Sequence, residues 1–157
     1  MNNETENFLK EGIKRYKQAS EIYFTFRKEL QNKLQLILKT RKNWGLLKPN
    51  ISSVKSTYFA PDYPLLNSRI VCELNSKTLT IVIAVNWYQS ENDFPFFVLW
   101  IEKDTDFITK QEQFNWNSNF EFKENGLRLN INPENYEIEK DFNSIIDEFL
   151  RFIKETN

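Results

Sequence analysis

"TLTIVIAVNWY", residues 78–88, decides the fold. Leu79, Ile81, Ile83, Val85 and Trp87 share one face of a period-two pattern, and Val82, Ala84 and Tyr88 make the other face largely apolar as well. A strand apolar on both faces belongs in the middle of a sheet that is covered on both sides. Upstream, "RIVCEL" (69–74) alternates in the same way and is separated from it by the turn-like "NSK" (75–77). Downstream, "QSENDFP" (89–95) reads as a loop, and "PFFVLWIEK" (95–103) as another doubly apolar strand with Pro95 at its mouth. Short runs at 114–116, 120–122 and 127–131 follow, joined by "NSN" (117–119) and "KENG" (123–126). Strand after strand on short polar turns predicts an antiparallel meander of about five strands over residues 54–131. "STYFAPDYP" (56–64) is expected to contribute an edge strand.

Helical spacing flanks this sheet on both sides. Leu9, Ile13, Tyr16, Ser20, Tyr23, Arg27, Leu30, Leu34 and Ile37 recur in steps of three and four, a seam interrupted only by Ser20 and Arg27. The spacing predicts a long helix within residues 1–43, supported by the pairs Glu11–Arg15, Lys17–Glu21 and Glu29–Lys33. Gly12 weakens its first turns, so a late start or a bend is expected there. Gly45 and Pro49, in "RKNWGLLKPN" (41–50), stop it. Unbroken from Glu6 to Lys39 it would reach roughly 50 Å, against a radius of gyration of ~15 Å for a compact chain of this size. Such a helix bends, projects, or finds cover on another subunit. Ile22, Phe24, Phe26 and Leu38 lie off the seam and widen its apolar surface, which favours packing on the sheet with some surface left for a partner.

The chain closes with Ile138, Phe142, Ile145, Ile146, Phe149 and Ile153 on one stripe, an amphipathic helix expected over 133–155 and packed on the sheet. Asn132-Pro133 reads as its cap and first turn, and early acidic with late basic residues match the helix dipole. The predicted architecture is therefore α+β, a single domain over residues 1–157 in the order helix, antiparallel sheet, helix. At 157 residues the chain can bury a core without staples.

Composition narrows the chemistry. The chain has no histidine, one cysteine and three scattered glycines. That removes Ser-His-Asp and Cys-His nucleophile systems, imidazole zinc sites, cysteine-rich metal centres and glycine-rich phosphate loops. Cys72 alternates with Ile70 and Leu74 and reads as a small buried hydrophobe. A lone cysteine, no basic-then-apolar leader and no apolar run approaching ~20 residues predict a soluble, cytoplasmic protein without a membrane partner. Residues 1–60 carry a net +7 and residues 61–157 a net −8. The halves are expected to attract each other within the fold or across a dimer, although a basic half also suits an anionic partner.

Carboxylates could still hold a divalent cation. "EKDTD" (102–106) offers Glu102, Asp104 and Asp106, but no EF-hand continues from it, because Thr109 and Asn115 stand where glycine and glutamate would be needed. Glu121-x-Lys123 is the second cluster. With Asp106 or Asp104 upstream, its spacing resembles the Asp…Glu-x-Lys core of the restriction-endonuclease-like nucleases. The resemblance covers these few residues and implies a metal-dependent nuclease. Yet Lys123 runs directly into a turn, and alternation with Phe120 and Phe122 places Phe inward and Glu and Lys outward on a hairpin. The hairpin reading is preferred, and no cofactor or metal is expected. Surface binding then remains. Lys39, Arg41, Lys42 and Trp44 form a candidate patch for a partner or nucleic acid, with Trp44 alternatively a core anchor. The expected function is a non-catalytic protein acting through protein–protein contacts, of inhibitor, immunity or accessory-subunit kind, with a homodimer through the N-terminal helix conceivable. Nucleic-acid binding by the first helix and the 39–44 patch is the alternative, and the nuclease of Asp106, Glu121 and Lys123 comes third.

Overall fold

The computed structural model describes residues 1–58, 65–87 and 94–157. Helical geometry begins with α1 (Asn3–Asn7), passes through a π turn at Phe8–Gly12 and continues as α2 (Ile13–Thr40). The π turn falls where glycine was expected to disturb the helix. A Cβ on Gly12 would lie 2.4 Å from Cδ2 of Phe8, so the missing side chain makes room for that ring. Glu6–Lys10 and Glu11–Arg15 ion pairs, at 2.9 and 3.4 Å, lie along the exposed surface. The chain forms two compact units, Met1–Asn32 and Lys33–Asn157.

In the second unit, β1 (Lys48–Tyr58), β2 (Leu65–Leu74), β3 (Lys77–Asn86) and β4 (Phe96–Ile101) pair consecutively and antiparallel. β1 carries an irregularity between Asn50 and Lys55, which breaks up what would otherwise be a long regular edge. It extends the sheet upstream of residue 54 and includes residues 56–58 of the expected edge strand; residues 59–64 of that stretch, Tyr88 of the expected strand 78–88 and residues 89–93 of the expected loop lie outside the described residues. After β4 comes α3 (Thr105–Gln113), then β5 (Phe120–Lys123) and β6 (Gly126–Asn130). The sheet order is β1-β2-β3-β4-β6-β5, so there are six strands where about five were expected, and the simple meander ends at β4. The detour through α3 delivers the chain to the far edge, and the β5–β6 hairpin folds back to meet β4. Residues 114–116, expected as a strand, instead form the connection from α3.

β3 is the centre that its alternation requires. Ile81, Ile83 and Val85 are buried on one face and Val82 and Ala84 on the other, all with at most 1 % exposure. On the first face the register aligns Ile70, Ile81 and Ile101, and Leu66, Val85 and Phe97. α4 (Ile138–Thr156) lies against this face, and Phe97 meets Phe142 edge-on at 5.6 Å. Phe142, Ile145, Ile146, Phe149 and Ile153 of the expected stripe are buried. Burial at roughly 1.5–3 kcal/mol per side chain, an upper bound, makes this contact the largest stabilising term of the helix. α4 starts at Ile138 rather than near residue 133. Asn132 does cap, but it caps a turn: its Oδ1 accepts from the Glu134 N–H at 2.9 Å, and its carbonyl accepts from the Asn135 N–H. No helix among the described residues is long and apolar enough to cross a membrane.

Candidate interaction surfaces

In the unit Met1–Asn32, none of residues 3–29 is buried. Phe8, Leu9, Ile13, Tyr16, Ile22 and Phe24 are exposed, Ile22 at 72 % and Tyr16 at 66 %. Phe24 carries the Arg27 guanidinium over its ring at 5.0 Å. Leu9, Ile13 and Tyr16 belong to the seam read from the sequence, and Ile22 and Phe24 to its widened flanks. The same seam is buried further along, at Leu30, Leu34 and Ile37. A helix draws most of its stability in water from packing an apolar face, so an exposed stretch of this composition is unusual for a finished surface.

The 39–44 patch separates into two kinds of residue. Trp44 is 5 % exposed and donates its Nε1–H to the Arg41 carbonyl at 3.1 Å. Arg41 donates through Nε to the Asn43 carbonyl at 2.8 Å, through Nη1 to Asn143 Oδ1 at 2.7 Å, and through Nη2 to Asp147. Its side chain is 9 % exposed, with the guanidinium 5.8 Å from the Trp44 ring. Arg41 and Trp44 thus fasten the end of α2 to α4, while Lys39 and Lys42 are exposed. Gly45 follows with φ +57°, a left-handed turn that returns the chain towards β1 and leaves Leu46 half exposed.

Of the carboxylates considered as metal ligands, Asp104 and Glu102 are engaged elsewhere, and Asp106 and Glu121 stand exposed. Asp104 is the N-cap of α3, accepting from the Phe107 N–H at 3.3 Å, and pairs with Lys77 at 2.5 Å. Burial pushes its pKa up, but the Lys77 hydrogen bond, the Phe107 N–H and the Lys77 charge outweigh that and hold it below the usual carboxylate range. Glu102 pairs with Arg69 at 3.1 Å. Asp106 sits exposed in the first turn of α3. Glu121 and Lys123 are exposed on the four-residue edge strand β5, with Phe120 and Phe122 alternating between them and Glu121 opposite Arg128. Among the described residues no group of three or more acidic, histidine or cysteine side chains is placed to hold a metal ion. Burial pushes the Cys72 thiol up to about 12, so it stays protonated and a poor nucleophile at neutral pH.

One polar centre was not visible in the sequence. Glu148 of α4 is buried, with its side chain 4 % exposed. It accepts from the Asn117 N–H at 2.8 Å, from Asn117 Nδ2 at 2.6 Å and from Arg151 Nη2 at 2.6 Å. Arg151 also donates to the Asn115 carbonyl at 2.8 Å, pairs with Glu155 at 3.1 Å and lies 4.5 Å over the Phe114 ring. The i,i+3 spacing of Glu148 and Arg151 is the one signal that could have suggested it. The network ties the segment 114–117 to α4. Between α4 and the turn at 43–46 lies a groove of about 520 Å³ with Leu46 and Leu150 in its wall.

No protein-family model, curated protein or solved structure matches this chain.

Proposed function

We propose that the protein is a non-catalytic binding protein acting through protein–protein contacts, of inhibitor, immunity or accessory-subunit kind, with the N-terminal helix as its principal contact surface. The observation that carries this reading is the face formed by the exposed apolar side chains Leu9, Ile13, Tyr16 and Phe24 on a helix with no buried residue before Leu30. Covering such a row by a partner removes it from water and stabilises the helix at the same time. The missing nucleophile systems and the engagement of Asp104, Glu102 and Glu148 in structural contacts support a role without catalysis. A second copy of the chain is the alternative occupant of the same stripe. A single buried thiol, Cys72, supports a cytoplasmic setting.

The test is capture from native lysate at physiological salt, with nuclease-treated and untreated arms, alongside the double variant Ile13→Asp, Tyr16→Asp. The reading expects a specific protein retained by the wild type in both arms and lost by the variant. Mass in solution separates a foreign partner from self-association. Identical retention by wild type and variant, or nothing above background together with a monomeric mass, overturns it. Nucleic-acid binding is the weaker reading. Lys39 and Lys42 are available for phosphates, but the Trp44 ring is buried and the Arg41 guanidinium is engaged, so the patch presents no stacking surface. Retention that disappears with nuclease, and with Lys39→Ala, Lys42→Ala, would favour it instead.

A further inference from the structure

The groove between the 43–46 turn and α4 lies in the unit Lys33–Asn157 and is a surface separate from the helix stripe. Its apolar surface comes from Leu46, which is half exposed, and Leu150, and Asn43, Asp147, Arg151 and Lys154 complete the lining. Its charges are unequally satisfied. Asp147 is held by Arg41, Glu148 is buried under Arg151 and Asn117, and Glu155 pairs with the same arginine. Asp147 therefore has a cation of its own, and Glu148 and Glu155 share one. The lysines are not engaged in this way. Lys154 in the wall and Lys42 and Lys39 on the approaching chain are exposed and form no ion pair among the described residues. What remains is a slot with two leucines in its wall and, at its rim, exposed lysines outside any ion pair among the described residues.

We propose that this groove docks a short acidic segment of a partner protein, seating one aliphatic or phenyl side chain against Leu46 and Leu150 while its carboxylates face Lys42 and Lys154. About 520 Å³ accommodates one or two side chains, which suits a peptide segment rather than a folded face. Charge complementarity selects the acidic flank, and the aliphatic wall selects the anchor. A nucleic acid would find the cations but no ring to stack on. Arg41 and Trp44 act as the frame, because they set where Lys42 and Leu46 stand relative to α4.

Panning the full-length protein against a displayed library of random peptides of about 12 residues tests the proposal. The enriched peptides are expected to combine one Leu, Ile or Phe with two or more Asp or Glu. Their binding is expected to weaken with added salt, and to fall by about tenfold or more on Leu46→Glu and on Lys42→Glu, Lys154→Glu. All three positions are exposed or half exposed, so thermal melts matching the wild type are expected to show the variants folded. Ile13→Asp, Tyr16→Asp in the N-terminal helix is expected to leave peptide binding unchanged, which separates this groove from the helix stripe. Enrichment without acidic bias, no enrichment at all, or affinity indifferent to Leu46→Glu overturns the proposal. So does binding of oligo-dT that is lost with the lysine reversals while no peptide is selected.

Discussion

Glu148→Gln isolates the polar centre that holds the segment 114–117 on α4. In the wild type both carboxylate oxygens accept: Oε1 from the Asn117 N–H and Arg151 Nη2, Oε2 from Asn117 Nδ2 and Arg151 Nε at 3.2 Å. Glutamine keeps the shape but offers one acceptor, and turns its own NH2 towards groups that are all donors. Hydrogen bonds to a charged acceptor contribute ~1.5–3 kcal/mol each, and a buried donor left unpaired costs ~1–3 kcal/mol. Arg151 is 31 % exposed and retains Glu155, so its share is discounted towards zero. The expected loss is ~2–4 kcal/mol, or a fall of ~6–12 °C in Tm for the middle of that range. The pH dependence has a definite sign. Burial raises the Glu148 pKa, but Arg151 and Asn117 outweigh it and hold it below the ordinary carboxylate range. A depressed folded pKa means that the contribution is complete above the unfolded value of ~4.3 and is lost as pH falls through the folded one. Urea unfolding followed by tryptophan fluorescence, to which Trp116 beside Asn117 contributes, is expected to show the widest gap between wild type and variant near neutral pH. The gap is expected to close in acid. A gap under ~0.5 kcal/mol at neutral pH, or one that is constant across the titration, would refute the assignment of this network as an ionised hydrogen-bonded centre.

Arg41→Ala is expected to destabilise by ~1–3 kcal/mol, because it removes the donors to Asn43, Asn143 and Asp147. Lys42→Ala is expected to fall within ~0.5 kcal/mol of wild type, and denaturant midpoints of the pair check the division between frame and free surface. Gly126→Ala places a Cβ 2.6 Å from Val98 Cγ2, across the β4–β6 seam. A loss of ~1–3 kcal/mol is expected in thermal melts, and a neutral outcome would show that the β5–β6 turn can shift away.

The parts of the fold that could be read from the sequence are those whose burial has a period. β3 and α4 each commit a whole face to the core, so Ile81, Ile83 and Val85, or Phe142, Ile145 and Phe149, announce the element directly. α3 carries only Phe107 and Gln111 inward, too few to show a stripe, and its one legible mark was Asp104, which reads equally as a metal ligand or as a cap. The β4-β6-β5 order was illegible because alternation fixes which way side chains point and says nothing about which strand lies alongside. Glu148 was hidden for the opposite reason. A carboxylate in an apolar stripe reads as a solvent-facing residue unless its donors are known, and Asn117 lies 31 residues away. The ties from Arg41 to Asn143 and Asp147, across 102 and 106 residues, are invisible to any local pattern.

The two proposed surfaces follow from one comparison of what each region leaves uncompensated. In the unit Lys33–Asn157 apolar stripes meet apolar stripes, and Arg41, Arg69, Lys77, Arg128 and Arg151 each meet a carboxylate. The groove is set apart by the combination of two leucines in its wall with lysines at its rim that form no ion pair among the described residues. The helix from Phe8 to Phe24 stands out for a different term, apolar area still in contact with water. The first imbalance is electrostatic and is screened by salt; the second is hydrophobic and persists in it. Binding at the groove should therefore weaken as salt rises while binding at the stripe holds or strengthens. Titrating salt against the lysine reversals and the Ile13, Tyr16 variant separates the two surfaces. A common salt response at both would overturn the assignment of one surface to charge and the other to apolar area.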